Sequence, residues 1–261
     1  MGASHSIADR YTVERTDAAP LDETRYAAVL HSDFRDHYAG GRDVWTDEEA
    51  MRQAPRLLMD ALRARPGAGA GTGPGSPAHV LDIGTGHGRD AGLLLAAGHH
   101  VTGIDLVASP EWQTLAGRHP GRARFLATAA LDLPGTEQYD AVLDNGCFHH
   151  QHPGTYGPYL RHVHELLRPG GLLTLSVFHA ADGRGGLYAN EGSRLYREFT
   201  EDELTGLAAG HGFALVDTRR VPRAVGNLTY LVSTFRRTEG GGRPTGSPLR
   251  PSIRPSTGDQ S

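Results

Sequence analysis

Residues 80–90 read VLDIGTGHGRD and decide the fold: an apolar run passes into three closely spaced glycines and then into a helical pattern. Such glycines allow a sharp backbone turn and let a ligand approach closer than a Cβ would permit. A second apolar run, 101–104, ends in Asp105, 19 residues after Gly86. In nucleotide-binding βαβ units, an acid at the tip of the second strand binds the ribose diol. The two runs therefore predict a βαβ unit that binds a nucleoside.

Apolar runs and helical patterns continue to alternate toward the C-terminus. The predicted strands are 80–83, 101–104, 125–127, 139–144, 172–178, 213–220 and 227–236. A predicted helix at 156–168 is ended by the breakers Pro169, Gly170 and Gly171. This alternation predicts an α/β fold with a doubly wound, mainly parallel, seven-stranded sheet that binds its ligand at the carboxyl ends of the strands.

The flanking segments differ in composition from this core. Residues 1–65 form an N-terminal segment, in which 1–20 are polar and expected to be mobile, and 21–65 carry apolar residues at helical spacing and are predicted to be a helical lid. Within it, Thr46 followed by Glu49 is typical of a helix start. Residues 66–78 are predicted to be a flexible Gly/Pro linker, 79–237 the ligand-binding domain, and 238–261 a disordered tail.

Composition excludes several classes of function. The chain has no lysine, which removes Schiff-base chemistry, and Cys147 is its single cysteine, which rules out an internal disulfide. The formal net charge of −4 without a basic cluster argues against nucleic-acid binding. No apolar run has membrane-spanning length, and no signal peptide is evident. The single cysteine favours a reducing compartment, so we expect a cytoplasmic protein. The arginine-only basic residues are typical of a GC-rich genome, so we expect a bacterial one.

The glycine spacing indicates which nucleoside is bound. It differs from the dinucleotide fingerprint Gly-x-Gly-x-x-Gly, and Asp82 would repel a pyrophosphate but suits a ligand with an ammonium group. The acid-x-Gly-x-Gly-x-Gly pattern with Asp105 resembles the class I S-adenosylmethionine-dependent methyltransferases. The RPGG at 168–171 and the FT-x-x-EL at 199–204 are also similar to that family. The resemblance implies S-adenosylmethionine as cofactor, methyl transfer as the reaction, and an antiparallel last strand.

The same resemblance assigns cofactor contacts. Asp82 would hold the methionine ammonium, Asp105 would accept both ribose hydroxyls, and Asp144 would face the methionine portion. The predicted cofactor-binding residues are Asp82, Gly84, Thr85, Gly86, Asp105, Leu106, Leu131, Asp132, Asp144 and Asn145.

The adenine position departs from the family pattern. Family members commonly carry an aspartate there, but ungapped alignment places Ala129 at that position. Either Asp132 replaces it after a shift of the loop, or the backbone of Ala130 or Leu131 makes the contact.

Histidines are the candidates for a general base because imidazole titrates near neutral pH. His149 follows the fourth predicted strand and His179 follows the fifth. His150 is expected to pack beneath the loop. No metal site is predicted, because the clustered histidines lack matching carboxylates or cysteines.

The acceptor is predicted to be a small molecule, since the Asp/Asn-Pro-Pro-aromatic signature of nucleic-acid amino methylases is absent. Residues 179–197 would form one wall of its site. Its aromatic contacts could come from Tyr11, Tyr26, Tyr38 and Trp45, although helix packing is the favoured role for each. Two other functions stay open: a same-fold enzyme that uses S-adenosylmethionine without methyl transfer, such as cyclisation of its aminobutyrate chain, and a non-catalytic partner subunit.

Overall fold

The computed structural model describes residue 8 and residues 11–41, 45–65, 76–223 and 228–239. The helices in these ranges are α1 (Glu23–Ala39), α2 (Gln53–Arg63), α3 (Arg89–Ala96), α4 (Glu111–Arg118), α5 (Tyr156–Leu166) and α6 (Glu201–Ala209). The strands are β1 (Val13–Thr16), β2 (His79–Ile83), β3 (His100–Asp105), β4 (Ala123–Ala127), β5 (Tyr139–Asn145), β6 (Leu167–His179), β7 (Gly186–Asn190), β8 (Leu195–Phe199), β9 (Phe213–Pro222) and β10 (Thr229–Arg237). Short 3₁₀ turns include Glu49–Arg52 and Phe148–His150.

The strands form one mixed sheet whose centre is parallel. β4, β3, β2, β5 and β6 are neighbours in that order and run parallel, and β10 lies antiparallel between β6 and β9. The predicted doubly wound α/β fold with an antiparallel last strand is therefore confirmed. Its parallel strands place the carboxyl ends of β2, β3 and β5 side by side.

Within the described part of the chain the sheet contains ten strands instead of the predicted seven. β7 and β8 form an antiparallel pair within the predicted wall, and β1 pairs antiparallel with β7, so that Val13 lies opposite Asn190. Each of these strands has only four or five residues. Their sequences carry little alternation. β7 and β8 are defined by pairing with each other across a short turn, and β1 is defined by pairing with the distant β7.

The segment predicted to be a lid divides into two parts. α2 packs in the core, where Leu58 is fully buried in the same cluster as Val80 on β2 and Leu172 on β6. α1 instead packs through Tyr26 and Leu30 against the β7–β8 pair. The predicted linker lies outside the described residues from 66 to 75, as does the predicted tail from 240 onward.

Two segments share the spacing of a helix-capping motif, Thr46 with Glu49 and Thr200 with Glu203, but only the second forms the cap. Thr200 caps α6 in a complete capping box, in which its side chain accepts from the Glu203 N–H and Glu203 accepts from the Thr200 N–H. Thr46 makes no such cap, and the helical turn begins instead at Glu49 after Glu48. Glu48 is buried and paired with Arg223, so this tertiary contact determines where the segment turns.

Among the described residues, no helix combines the length and the apolar character that crossing a bilayer requires.

Candidate active site

A cavity of about 510 Å³ opens at the carboxyl ends of β2, β3 and β5. This volume is typical of small-molecule sites. One part, called here the glycine-loop side, is lined by residues 83–87, 104–106, 128–131 and 145–147. The opposite part, called here the aromatic side, is lined by Tyr11, Phe34, Trp45, His149, Phe178, Arg194, Tyr196, Arg223 and Tyr230.

The glycine loop is held against β3 by its own backbone. The N–H groups of Gly84 and Thr85 both donate to the Ile104 carbonyl oxygen, at 2.8 and 2.9 Å. Gly84 has a φ of 72°, and a Cβ there would overlap the Cys147 sulfur. Both observations require glycine at this position, and they leave the loop backbone open toward the cavity.

Asp105 organises the floor of the glycine-loop side. Its Oδ1 accepts from the Val107 N–H at 3.1 Å, and its Oδ2 accepts from the Gly86 N–H at 2.9 Å. The Tyr38 hydroxyl of α1 reaches Oδ2 at 3.4 Å. Burial raises the pKa of Asp105. The carboxylate therefore lines the cavity in a fixed orientation, suited to further hydrogen-bond donors.

Asp82 lies behind the glycine loop and does not line the cavity. It is 1% exposed and accepts from the Thr85 hydroxyl at 2.7 Å. Burial, followed by the charge of Asp90, raises the pKa of Asp82 to about 7. The sequence suggested a contact with the ammonium, either direct or through water. From this position the carboxylate would instead act electrostatically, since it would be stabilised by a cation placed in the neighbouring cavity.

Asn145 connects the glycine-loop side to a buried ion pair. Its Nδ2 donates to Asp90 Oδ2 at 2.6 Å and to the Met51 carbonyl oxygen at 2.7 Å. Asp90 is also held by Arg89, whose Nε lies 2.6 Å from Oδ1. Asn145 lines the cavity, and its Oδ1 is buried without a hydrogen-bond partner among the described residues.

Asp144 has a structural role in this geometry. It is fully buried, accepts from the Tyr159 hydroxyl and from the N–H groups of Cys147 and Phe148, and lies outside the cavity lining. Burial raises its pKa to about 6. The predicted contact to the methionine portion is thus not one that this arrangement makes, because the carboxylate binds the loop that follows β5.

Solvent exposure and the cavity lining distinguish the two predicted ways of contacting the adenine. Asp132 is exposed and does not line the cavity, whereas Ala129, Ala130 and Leu131 do. Leu131 is 42% exposed, which places its large apolar side chain at the rim. Backbone and apolar contacts are available here, and an acid is not.

The two histidines predicted as bases lie in different places. His149 lines the aromatic side, but burial and the nearby Arg223 lower its pKa to about 3, which makes it a poor base near neutral pH. His179 lies outside the lining, and burial lowers its pKa. His150 packs as expected, with Nδ1 2.7 Å from the Leu195 carbonyl oxygen.

The N-terminal aromatic residues are all brought to the cavity. Tyr11, Tyr26, Tyr38 and Trp45 line it, although helix packing was the role that the sequence favoured for each. The Tyr26 hydroxyl donates to the His150 carbonyl oxygen at 2.5 Å and accepts from the Leu195 N–H at 3.0 Å. Burial raises the pKa of Tyr26, so the hydroxyl stays protonated and joins α1 to β8.

Two buried arginines on the aromatic side were missed by sequence reasoning. Arg223 donates from Nε to Glu48 at 2.7 Å and from Nη1 to the Tyr11 hydroxyl at 2.9 Å. Arg194 pairs with Asp33 of α1 and lies over the Phe34 ring, 5.2 Å from its centroid. The only sequence signal was that Arg194 falls in the predicted wall; no local pattern marks Arg223.

The described residues contain no group of three or more potential metal-ligating His, Cys, Asp or Glu side chains. The residues present fit S-adenosylmethionine instead. A backbone that excludes Cβ atoms, a buried carboxylate at the tip of β3 and an unpartnered amide oxygen together suit a nucleoside with an amino-acid side chain.

Comparison with known families supports this fit. The family described as a methyltransferase domain matches residues 49–218, which begins before α2 and ends within β9. The chain also resembles a crystal structure of the Burkholderia thailandensis 1,6-didemethyltoxoflavin N1-methyltransferase with bound 1,6-didemethyltoxoflavin and S-adenosylhomocysteine. The TM-score is 0.80 at 50% identity, over 87% of this chain and 95% of that one.

Two curated relatives are more distant. The tuberculostearic acid methyltransferase UfaA1 of Mycobacterium tuberculosis is 32% identical over 61% of this chain. An uncharacterized methyltransferase of Synechocystis sp. is 32% identical over 38% of it. The matched regions span 35% and 47% of those relatives. Together with the family match over 49–218, these findings show that the chain belongs to the S-adenosylmethionine-dependent methyltransferases.

Proposed function

We propose that this chain transfers a methyl group from S-adenosylmethionine to a small planar nitrogen heterocycle. The observation that carries the proposal is the joining of a nucleoside-binding loop and a flat aromatic compartment in one cavity. The 50% identical relative was crystallised with 1,6-didemethyltoxoflavin and S-adenosylhomocysteine both bound, which supports a site that holds a cofactor and an acceptor together.

The glycine-loop side would hold the cofactor. Asp105 would accept the ribose hydroxyls, Leu131 would cover the adenine at the rim, and Asn145 Oδ1 would accept from the methionine ammonium. Asp82 would favour that ammonium from behind the loop. When bound, S-adenosylmethionine would supply a methyl carbon on a sulfonium. An acceptor nitrogen would attack this carbon in line with its bond to sulfur, so that this bond breaks and S-adenosylhomocysteine leaves, and the hydrogen of the nitrogen would be released to water as a proton. The chain's part is to align the reactants and exclude water.

The aromatic side would hold the acceptor. Phe178 and Tyr230 are stacked with an interplanar angle of 16° and a centroid distance of 5.5 Å. The His149 ring lies against Phe178 at 4.0 Å. These flat surfaces suit an aromatic ligand, since stacked rings add attraction beyond the area that they bury.

We propose that residues 11–41 and 45–52 act as the cover of the site. They contribute Tyr38 to Asp105, Tyr26 to β8, Asp33 to Arg194 and Glu48 to Arg223. The cover is thus narrower than the predicted lid, because α2 belongs to the core. A cover over the cavity would exclude water during transfer. We also propose that residues 66–78 are a linker and that the residues from 238 onward are a tail. The proposed location is the cytoplasm, and no nucleic-acid partner is proposed.

The test is incubation of the full-length protein with S-adenosylmethionine and 1,6-didemethyltoxoflavin, followed by mass spectrometry. We expect S-adenosylhomocysteine and an acceptor that has gained one methyl group. A matched reaction without acceptor distinguishes the alternatives. Cofactor consumption in that reaction would support a rearrangement of the cofactor itself, and failure to bind S-adenosylmethionine at all would support a non-catalytic subunit.

A further inference from the structure

His149 carries an unsatisfied polar atom in the wall of the aromatic side. The residue is 2% exposed and lines the cavity, and its Nδ1 has no hydrogen-bond partner among the described residues. Leaving a buried polar atom unpaired destabilises the folded protein. An unpaired polar atom on a residue that lines a ligand cavity is therefore a candidate for contact with the ligand.

The hydrogen bond on the other side of the ring identifies what Nδ1 can do. His149 also interacts with the backbone of Ser176 on β6, and this hydrogen bond raises its pKa. A bond of that kind is one in which the ring N–H donates to a carbonyl oxygen. Because Nδ1 is unpartnered, Nε2 carries that hydrogen, and Nδ1 presents a bare lone pair. It can accept a hydrogen bond but cannot donate one.

The surroundings keep the ring neutral. Burial contributes most, and the positive charges of Arg223 and Arg194 add to it. His150 lies against the ring at 4.3 Å and is itself buried with a pKa well below its usual value. Tyr230 also faces the ring, at 6.4 Å, and burial keeps its hydroxyl protonated. Nδ1 therefore remains an acceptor throughout the ordinary pH range.

The His149 ring, and Nδ1 with it, lies where the glycine-loop side and the aromatic side of the cavity meet. A Cβ on Gly146 would lie 3.7 Å from His149 Cε1, and Gly146 directly follows Asn145 of the glycine-loop side. On the other side the ring lies against Phe178. A flat ligand packed on Phe178 and directed toward the cofactor would thus present an edge to Nδ1.

We propose that His149 Nδ1 accepts a hydrogen bond from a ring N–H of the acceptor, so that the enzyme selects nitrogen heterocycles that still carry such an N–H. This inference rests on the proposed function and names the feature of the substrate that the site recognises. A carbonyl or ether oxygen at that edge would face the lone pair of Nδ1 and be rejected. His149 thus binds the substrate that receives the methyl group, and it does not remove a proton from that substrate.

The test compares two variants of nearly equal shape. His149→Asn places an amide oxygen close to the position of Nδ1, whereas His149→Leu has no polar atom. We would titrate 1,6-didemethyltoxoflavin into each protein already saturated with S-adenosylhomocysteine, so that no turnover occurs. We expect His149→Leu to weaken acceptor binding about 10-fold or more and His149→Asn to weaken it about 3-fold or less. The affinity for S-adenosylhomocysteine should be the same in both, which also shows that they are folded.

A second titration needs no variant. The wild-type complex should bind 1,6-didemethyltoxoflavin at least about 10-fold more tightly than the same heterocycle methylated at positions 1 and 6. The His149→Leu variant should bind the two compounds equally well. Equal binding of both compounds by the wild type would overturn the inference, as would unchanged acceptor binding in His149→Leu, which would mean that water serves Nδ1. In either case methylation by the wild type would leave the proposed function standing. Absence of both methylation and acceptor binding in the wild type would reject the proposed function itself.

Discussion

The glycine-loop side of the cavity is organised around a loop and a strand end that are close in sequence, whereas the aromatic side is held by contacts between distant residues. The Gly86 N–H donates a hydrogen bond to Asp105, and these two residues are 19 positions apart. On the aromatic side, Asp33 meets Arg194 across 161 residues and Glu48 meets Arg223 across 175. The first side depends on local backbone geometry and the second on buried charge pairs. The two sides should therefore respond differently to substitution.

The largest effect is expected at the Glu48–Arg223 pair. Glu48→Gln removes one charge from a pair in which both side chains are almost fully buried, leaving Arg223 without a counter-charge. We expect a loss of about 3–5 kcal/mol in the free energy of unfolding, measured by urea denaturation. The adjacent Glu49→Gln is the control, because Glu49 pairs with Arg52 and Arg56 at the exposed surface, and it should leave unfolding unchanged. Similar losses in both variants would contradict the distinction between the buried and the exposed pair.

The next effect tests the glycine-loop side. Asp105→Ala should weaken S-adenosylmethionine binding by about 1.5–3 kcal/mol, because charged hydrogen bonds to the ribose are lost. Asp132→Ala is the matched control and should cost clearly less, since Asp132 is exposed and outside the lining. Calorimetric titration measures both. An equal loss would mean that the loop after β4 moves to bring Asp132 to the adenine.

A smaller effect is expected on the pH dependence of cofactor binding. The pKa of Asp82 is raised to about 7, and a bound ammonium favours the carboxylate, so binding lowers this pKa and releases a proton. Affinity should therefore fall as the pH drops below about 7, by at most about tenfold per pH unit. Dissociation constants measured from about pH 5.5 to about pH 7.5 check this. Asp82→Asn should flatten the profile, and a profile equally steep in that variant would assign the proton to another group.

The smallest effect is expected at the C-terminus. Residues 240–261 consist largely of Gly, Pro, Ser and Arg and contain only two large apolar residues, Leu249 and Ile253. Their deletion should shift the melting temperature by no more than about 1 °C and leave turnover unchanged. Deletion from residue 228 is the contrasting variant, because it removes β10, which pairs with both β6 and β9. A comparable loss in both deletions would show that the last 22 residues of the chain contribute to stability.

The features that the sequence predicted correctly are those that depend on local backbone geometry. The glycines, the acid at the tip of β3 and the Thr200 capping box are local devices, and the fold that they indicate is confirmed. Asp82 and Asp144 show the limit of this approach. Each occupies the expected place in the chain, but its carboxylate binds nearby loop groups, Thr85 in one case and the turn after β5 in the other. Sequence position does not determine the direction in which a side chain points.

The aromatic side could not be predicted in the same way. Thr46 and Glu49 have the spacing of a capping motif, yet the buried pairing of Glu48 with Arg223 changes where the helical turn starts. The low pKa of His149 arises from burial and from two arginines that only the fold brings close. Because these interactions are long-range, a local pattern contains no trace of them.

The separation between Glu48 and Arg223 also has a consequence for the order of folding. Contacts between distant residues require closure of a long loop, so they form after local ones. During synthesis, the glycine loop and Asp105 can meet once β3 has been made. The cover cannot close through Glu48 until residue 223 has left the ribosome. A growing chain would thus be able to recognise a nucleoside well before it could enclose an acceptor.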